Sequence, residues 1–257
     1  MTRRVEPELL DELSPADPYA VGSRRDILRL NAWMGHSRLM ARTLAACEAP
    51  SALGPGAAEA RTASGAPALS PRAHPRRVVE LGAGDGRFFL DLVQHLPRAW
   101  GGGTAVLVDR QSVVSPETQQ AFEALGWHTE LVAADVFDWI SRPTVGFADA
   151  VVANLFLHHF SAPRLTKLLA EAAPLCRVFV ALEPRRGAWP LTCSRLVWVI
   201  GCNRVTQNDA PVSVRAGFAG DELSRLWPAD GAWALEERPA GWVSHLFVAR
   251  RNHPGQG

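Results

Sequence analysis

Glu80-Leu81-Gly82-Ala83-Gly84-Asp85-Gly86 closes the apolar run Arg77-Val78-Val79-Glu80-Leu81 and opens the stretch Arg87–Leu96. A short β-rich run that passes through glycines into a helix is the strand-turn-helix of an open α/β sheet, and such sheets place their ligand crevice beyond the C-terminal ends of the strands. Glycines at this turn take left-handed dihedrals and let the backbone approach a ligand without a Cβ clash. Gly82, Gly84 and Gly86 are spaced G-x-G-x-G, not the G-x-G-x-x-G of dinucleotide folds, in which a helix N-terminus receives a pyrophosphate. The spacing counts against a nicotinamide or flavin dinucleotide. Taken alone, the glycines also fit a strand-helix turn that binds nothing.

Outward from this loop the pattern alternates. After the helix come a strand Thr104–Asp109, a helix around Thr118–Leu125, strands Thr129–Asp135 and Ala148–Leu155, a helix Pro163–Ala172 and a strand Arg177–Glu183. Alternating strands and helices imply right-handed crossovers and a mostly parallel sheet covered on both faces. Trp233–Arg238 and Trp242–Arg251, separated by Pro-Ala-Gly, predict a terminal antiparallel hairpin. The fold class expected is therefore α/β: a Rossmann-like, seven-stranded, mostly parallel sheet with a terminal antiparallel hairpin and an N-terminal helical extension. Between Arg24 and Cys47, the spacing of Ile27, Leu30, Met34, Ala41 and Leu44 predicts one amphipathic helix. Residues 49–76, rich in Ala, Pro, Gly and Ser, read as a low-complexity linker between an extension at 1–48 and a main domain at 77–251.

Composition narrows the classes. With 257 residues, 47% apolar and 21% charged, the chain has the make-up of one sizeable globular domain. It contains 27 Lys and Arg against 26 Asp and Glu, a net charge of +1, so it lacks the broad positive field of a duplex-binding protein and no nucleic-acid partner is expected. No run reaches the roughly 18 apolar residues of a membrane span, and the N-terminus is not signal-like; the expectations are no membrane insertion and a cytoplasmic location. Cys47, Cys176, Cys193 and Cys202 lack C-x-x-C spacing, so neither a metal site nor a disulfide framework is read.

Two acids stand at later strand ends. Asp109 lies about twenty residues past the glycines, where nucleotide-binding α/β folds use a carboxylate to accept from ribose hydroxyls; capping a turn with its neighbour Arg110 is the other role open to it. Asp135 ends the third strand in Ala-Ala-Asp-Val-Phe, as a ligand contact or a simple turn acid. The fourth strand ends in Asn154-Leu155-Phe156-Leu157-His158-His159-Phe160.

Together these motifs resemble the class I S-adenosylmethionine-dependent methyltransferases. The loop with its preceding Glu80 is similar to their first motif, Asp135 matches their adenine-contacting acid with the backbone of Val136 beside the purine, and the terminal hairpin is their arrangement. Asn154–Phe160 is similar to the strand-end segment of the ubiquinone and menaquinone C-methyltransferases and their small-molecule relatives. The whole chain outside the linker also resembles a bacterial group of methyltransferases of unassigned substrate, through Ser23–Gly35, Glu80–Gly86, Asn154–Phe160, Glu183–Arg186 and Ser213–Phe218, departing from it at Gln207 and Asn208. The resemblance implies S-adenosylmethionine as cofactor, held by Glu80, Gly82, Gly84, Gly86, Asp109, Arg110, Asp135, Val136 and Asn154. It implies a small-molecule acceptor methylated at oxygen or carbon (a phenol, quinone or polyketide-type compound) by a monomer or homodimer.

A sulfonium methyl is already electrophilic, so such an enzyme must mainly align a nucleophile and exclude water; a histidine suits the removal of the acceptor's proton. His158 and His159 are the candidates, with one facing the substrate if the segment is extended, and a packed histidine pair is the alternative. Arg185 and Arg215 are candidate substrate contacts, the alternative for the first being a loop charge paired with Glu183. The segment after the fifth strand, Leu191–Ile200 and Asp209–Phe218, is where an acceptor pocket is expected, with Trp189 and Trp198 read as core. The N-terminal helix, through Trp33 and Met34, is a candidate lid. Two rival functions share the sheet: an NAD(P)-dependent oxidoreductase, which requires the longer glycine spacing, and a catalytically silent cofactor-binding accessory protein.

Overall fold

The computed structural model describes residues 1–48, 76–111 and 113–252. Strands β1 (Arg76–Leu81), β2 (Gly103–Asp109), β3 (Trp127–Ala133), β4 (Ala148–Asn154), β5 (Cys176–Pro184), β6 (Trp233–Ala240) and β7 (Ser244–Arg251) form one seven-stranded sheet in the order β3-β2-β1-β4-β5-β7-β6. The first five run parallel, while β7 is antiparallel to both β5 and β6. This is the expected Rossmann-like sheet with its terminal hairpin. The order reverses direction between β1 and β4, and that switch point is where an open α/β sheet leaves a crevice. Leu81 pairs with Val108 on one side and with Ala153 on the other, so Gly82, Asp109 and Asn154 emerge side by side at one end of the sheet.

The parallel strands are apolar on both faces because both are covered. Val78, Leu107, Val152 and Val180 pack against α3 (His36–Glu48), through Met40 and Leu44, and α4 (Arg87–His95), through Phe89 and Leu92; Phe122 of α5 (Pro116–Ala124) joins this side. Val79, Val108, Val151 and Phe179 face Val136 and Trp139 of α6 (Val136–Ile140) and Leu165, Leu168 and Leu169 of α7 (Ala162–Ala172). Burying each such aliphatic side chain contributes about 1.5–3 kcal/mol.

The helix expected over Arg24–Cys47 is two helices. After α1 (Leu9–Glu12), helix α2 (Pro18–Met34) stops at Gly35, a left-handed C-cap with φ 67°, and α3 starts afresh at His36. The apolar spacing runs through the break but serves two surfaces: Met40, Ala41 and Leu44 are buried on the sheet, whereas Ile27, Leu30 and Met34 are half-buried around a cavity. The buried residues of α2 are mainly polar, because it docks by hydrogen bonds on α9 (Arg204–Ala216). Ser23 and Thr206 hydroxyls meet at 3.0 Å, and Asp26 accepts from the Asn203 N–H at 2.7 Å. The linker expected at 49–76 lies outside the described residues except for Arg76, which begins β1. α8 (Ala188–Arg195), α9 and α10 (Glu222–Leu226) fill the interval between β5 and β6. No helix among the described residues is long and apolar enough to cross a membrane.

Candidate active site

A cavity of about 480 Å³ lies over the C-terminal ends of β1, β2 and β4, within the roughly 300–1,000 Å³ range of small-molecule sites. Its floor comes from the glycine loop and the strand ends. Gly82 (φ 72°) and Gly84 (φ 53°) are left-handed; a Cβ on Gly82 would lie 2.1 Å from the Phe156 ring, and a Cβ on Gly84 would meet nothing within 4 Å. The first glycine is required by packing and the second leaves space beside the loop. Asp109 fixes this geometry, its Oδ2 accepting from the Gly84 N–H (2.9 Å) and its Oδ1 from the Gln111 N–H (2.8 Å). Glu80 is 2% exposed and its Oε2 has no hydrogen-bond partner. Burial, with the neighbouring charges of Asp85 and Asp109, pushes the Glu80 carboxyl well above the usual carboxylate range. A buried carboxyl left unsatisfied on a cavity wall fits a cationic ligand group.

The turn after β4 is organised by a carboxylate from β5. Glu183, fully buried, accepts from the Phe156, Leu157 and His158 N–H groups (3.0, 2.8 and 3.3 Å) and lies 2.7 Å from His158 Nδ1. The backbone between strand and turn passes through Leu155 at φ 52°, a left-handed conformation costly for a branched side chain. His158 Nε2 lies 3.3 Å from Glu8 Oε1, so the imidazole is held between two carboxylates. Burial opposes its charge, but the hydrogen bonds to Glu183 and Glu8 prevail and raise it to about 9. The ring therefore carries both protons at neutral pH. Burial works to raise Glu8 and Glu183 as well, and the contact with His158 takes both below the ordinary glutamate value.

The roof is the N-terminal segment. Asp209 of α9 accepts from the Leu9 and Leu10 N–H groups (2.9 and 3.0 Å) at the start of α1, and the Ser213 hydroxyl donates to Glu8 (2.5 Å). Arg3 donates to the carbonyls of Phe160 (2.9 Å) and Ala216 (2.7 Å). Asp11 then reaches across the floor, its Oδ2 3.3 Å from His159 Nδ1 and its Oδ1 3.8 Å from Arg110 Nη2. Glu8, His158 and His159 each bring a donor atom within 4.8 Å of the others, and a divalent ion would fit there only by displacing the His158 proton.

Of the residues expected to hold a cofactor, Glu80, Gly82, Gly84, Asp109, Arg110, Asp135, Val136 and Asn154 line this one cavity. Gly86 does not. It is the left-handed N-cap of α4 (φ 74°), where a Cβ would press on Leu107 at 3.0 Å, so its place is in the turn and the packing. Asp135 lines the cavity and also caps α6, accepting from the Phe137 N–H at 2.8 Å. The Asn154 amide is committed elsewhere: Nδ2 donates to Asn31 Oδ1 (3.1 Å) and Oδ1 accepts from His36 Nδ1 (2.8 Å). Burial lowers His36 to about 4, so it is neutral and its Nε2 accepts from the Ser244 hydroxyl at 2.7 Å. Asn154 thus ties the α2–α3 junction to the sheet.

The expectation that one histidine faces the substrate from an extended segment fails in its geometry. Leu157–His159 is a 3-10 turn, and the two rings lie 4.3 Å apart on the same side. Arg185 and Arg215 do not line the cavity. Arg185 is bridged through its backbone to Phe218 and Val243, and Arg215 uses its carbonyl to receive the Arg4 N–H. Its neighbour Arg186 pairs with Glu222 (Nη1 to Oε2, 3.0 Å) and not with Glu183. Trp189 and Trp198, read as core, are exposed. Gln207 and Asn208 face away from the cavity, donating to the Cys202 carbonyl (2.6 Å) and to Asp209 (2.9 Å). The residues missed are Glu8, Asp11 and Glu183 in its organising role; no local signal marks the first two.

Residues 78–178 match the family model described as methyltransferase domain. Over these residues the chain is similar to a methyltransferase domain. Its fold is shared with solved structures named as O-methyltransferases. An O-methyltransferase family protein from Burkholderia thailandensis is similar at 17% identity and TM-score 0.52, over 91% of this chain and 61% of its own. A candidate O-methyltransferase from Nostoc punctiforme is similar at 15% identity and TM-score 0.54, over 97% and 64%. The chain therefore spans less than two thirds of either neighbour. The magnesium protoporphyrin IX methyltransferase of Synechocystis, solved with S-adenosylhomocysteine, aligns at TM-score 0.45 and 16% identity, over 69% of this chain and 74% of its own. No curated protein sequence matches the chain.

Proposed function

We propose that this protein transfers the methyl group of S-adenosylmethionine to a small-molecule acceptor, with His159 and Asp11 handling the acceptor's proton. The observation that carries the reading is Glu80, a wholly buried carboxyl with an unpartnered oxygen on the wall that also presents Asp109. An ammonium and a sulfonium are the charges S-adenosylmethionine brings, and pairing with the ammonium would turn Glu80 from an unsatisfied group into half of an ion pair. Asp109, which retains lone pairs beyond its two backbone bonds, would accept from the ribose hydroxyls. Asp135 and Val136 would meet the adenine, and Gly82–Gly84 would lie along the amino-acid end.

When bound, the cofactor supplies an electrophilic methyl that requires alignment and a dry site. The roof supplies the dryness. Of the two histidines, His158 is 2% exposed and already doubly protonated, which removes it as a base, whereas the His159 side chain is 23% exposed and lines the cavity. Its Nδ1 lies 3.3 Å from Asp11 Oδ2, which leaves Nε2 as the nitrogen free to meet an acceptor. His159 Nε2 accepts the proton that an acceptor hydroxyl, or an acidic carbon, loses as it is methylated. Leu30, Met34, Pro190 and Val197 make one side of the cavity apolar, which suits phenolic, quinone or polyketide-type acceptors.

Calorimetry with S-adenosylhomocysteine tests the cofactor, with NAD(P)H as the competing ligand; binding of the dinucleotide alone, or of neither at millimolar concentration, overturns the proposal. Incubation with S-adenosylmethionine and an acceptor panel, read by a mass gain of one methylene, separates an enzyme from a silent binding protein.

A further inference from the structure

Large apolar side chains gather outside the cavity. Trp189 of α8 and Trp198, Val199 and Ile200 of the following 3-10 turn are between 50% and 63% exposed, and Trp33 of α2 is 73% exposed. These segments adjoin one another. Arg29 of α2 donates to the Ile200 carbonyl (3.0 Å), and Trp33, one helical turn further on, lines the cavity together with Pro190 and Val197. The tryptophans therefore stand on one rim, directly outside the apolar wall. Clustered exposed apolar surface of this kind marks an interaction site.

Within the segments that carry these residues the exposed charges have one sign. Residues 188–208 contain Arg195 and Arg204, both exposed, and no Asp or Glu. On α2 the only acid, Asp26, is buried, while Arg25 and Arg29 are exposed. A second copy of this chain, docking through the same patch about a twofold axis, would set arginines against arginines. Tryptophans beside unopposed arginines suit a surface that offers an apolar layer beneath anionic headgroups. We infer that this rim docks on an anionic lipid bilayer, with Trp189, Trp198 and Val199 at headgroup depth and Arg195 and Arg204 on lipid phosphates. A corollary, which alone rests on the methyl-transfer reading, is that a lipid-soluble acceptor reaches the apolar wall from the bilayer.

Co-sedimentation of the full chain with vesicles, without cofactor or acceptor, tests docking independently of catalysis. Binding is expected to phosphatidylcholine vesicles containing phosphatidylglycerol, to be weak on phosphatidylcholine alone, and to fall with salt. The double variant Trp198→Ser/Val199→Ser should weaken it by about tenfold or more. Arg195→Gln and Arg204→Gln should each cost about fivefold, the equivalent of about 1 kcal/mol per basic residue at an anionic surface. Unchanged thermal melting would show that the variants fold. The inference is overturned if the chain stays in the supernatant with anionic vesicles, if folded variants bind like the parent, or if poly-glutamate is bound in preference to vesicles, which would indicate an acidic protein partner. It is likewise overturned if sedimentation equilibrium shows a dimer that Trp198→Ser dissolves.

Discussion

The floor and the roof of the cavity are built by opposite means. Gly82, Asp109 and Asn154 arrive together because strand register places neighbouring C-terminal ends side by side, and each belongs to a segment whose strand-turn character is local. The roof has no such frame. Glu8 meets His158 across 150 residues and Ser213 across 205, through single side-chain contacts at the end of a four-residue helix. A floor made by topology tolerates change in any one polar group; a roof made by a few buried charges depends on each of them.

The largest effect is expected where the two meet, at Glu183, which holds the turn after β4 and the imidazolium of His158 at once. Glu183→Ala leaves three buried N–H donors and a buried cation without their acceptor, and removing one partner of a buried pair costs about 3–5 kcal/mol. Urea unfolding checks this, and a loss below about 1 kcal/mol would mean that the turn is held by other groups.

His159→Ala acts on the roof side of the chemistry. Turnover should fall a hundredfold or more, the lower end of what a positioned base supplies, while S-adenosylhomocysteine affinity stays within about twofold. Asp11→Asn should reproduce part of the loss. If His159→Ala turns over normally, proton removal belongs to solvent or to the acceptor itself. On the floor, Asp109→Ala should weaken S-adenosylhomocysteine about tenfold, near 1.4 kcal/mol, with little change in turnover at saturating cofactor. Equal losses in affinity and turnover would show instead that the Asp109–Gly84 bond shapes the whole loop.

The same contrast explains what could be read in advance. The mostly parallel sheet, its terminal hairpin and the glycine turn follow from periodicity and glycine spacing, because hydrophobic alternation and left-handed turns are properties of a few consecutive residues. Gly35 ends α2 although the apolar spacing runs through it, since Met34 and Ala41 serve different surfaces at a helical interval. The separate fates of His158 and His159 depend on Glu8 and Asp11, acids in an N-terminal stretch without a motif. Trp189 and Trp198 are apolar at helical spacing, and spacing does not distinguish a core from a docking face. Arg185 and Arg215 were placed near the site by their position after strands and helices, but a side chain's direction is set by its packing.

The smallest effect concerns how tightly the roof closes, and it is read through pH. His158 is raised from 6.5 to about 9, so its contribution to stability is fully present below pH 6.5 and is lost as pH rises through 9. Glu8 and Glu183 are lowered from 4.5, so theirs is present above pH 4.5 and is lost as pH falls through their folded values. These are two views of one set of contacts, greatest between pH 4.5 and 6.5 and tapering toward 9. Glu8→Gln keeps a hydrogen-bonding side chain but removes one of the two carboxylates on His158; the imidazole then titrates at a lower pH, held up by Glu183 alone. Stability at pH 6.5 should fall by about 1 kcal/mol, and the alkaline decline, which starts from the same unfolded-state value, should end at a lower pH and be smaller in total than in the parent chain. Because Glu8 sits on the N-terminal segment, limited proteolysis ahead of α1 should accelerate over the same alkaline range in the parent and level off at a lower pH in the variant. Coincident pH profiles for the two proteins would mean that the strap is secured by Asp209 on the Leu9 and Leu10 amides, with the Glu8–His158 contact adding nothing to closure.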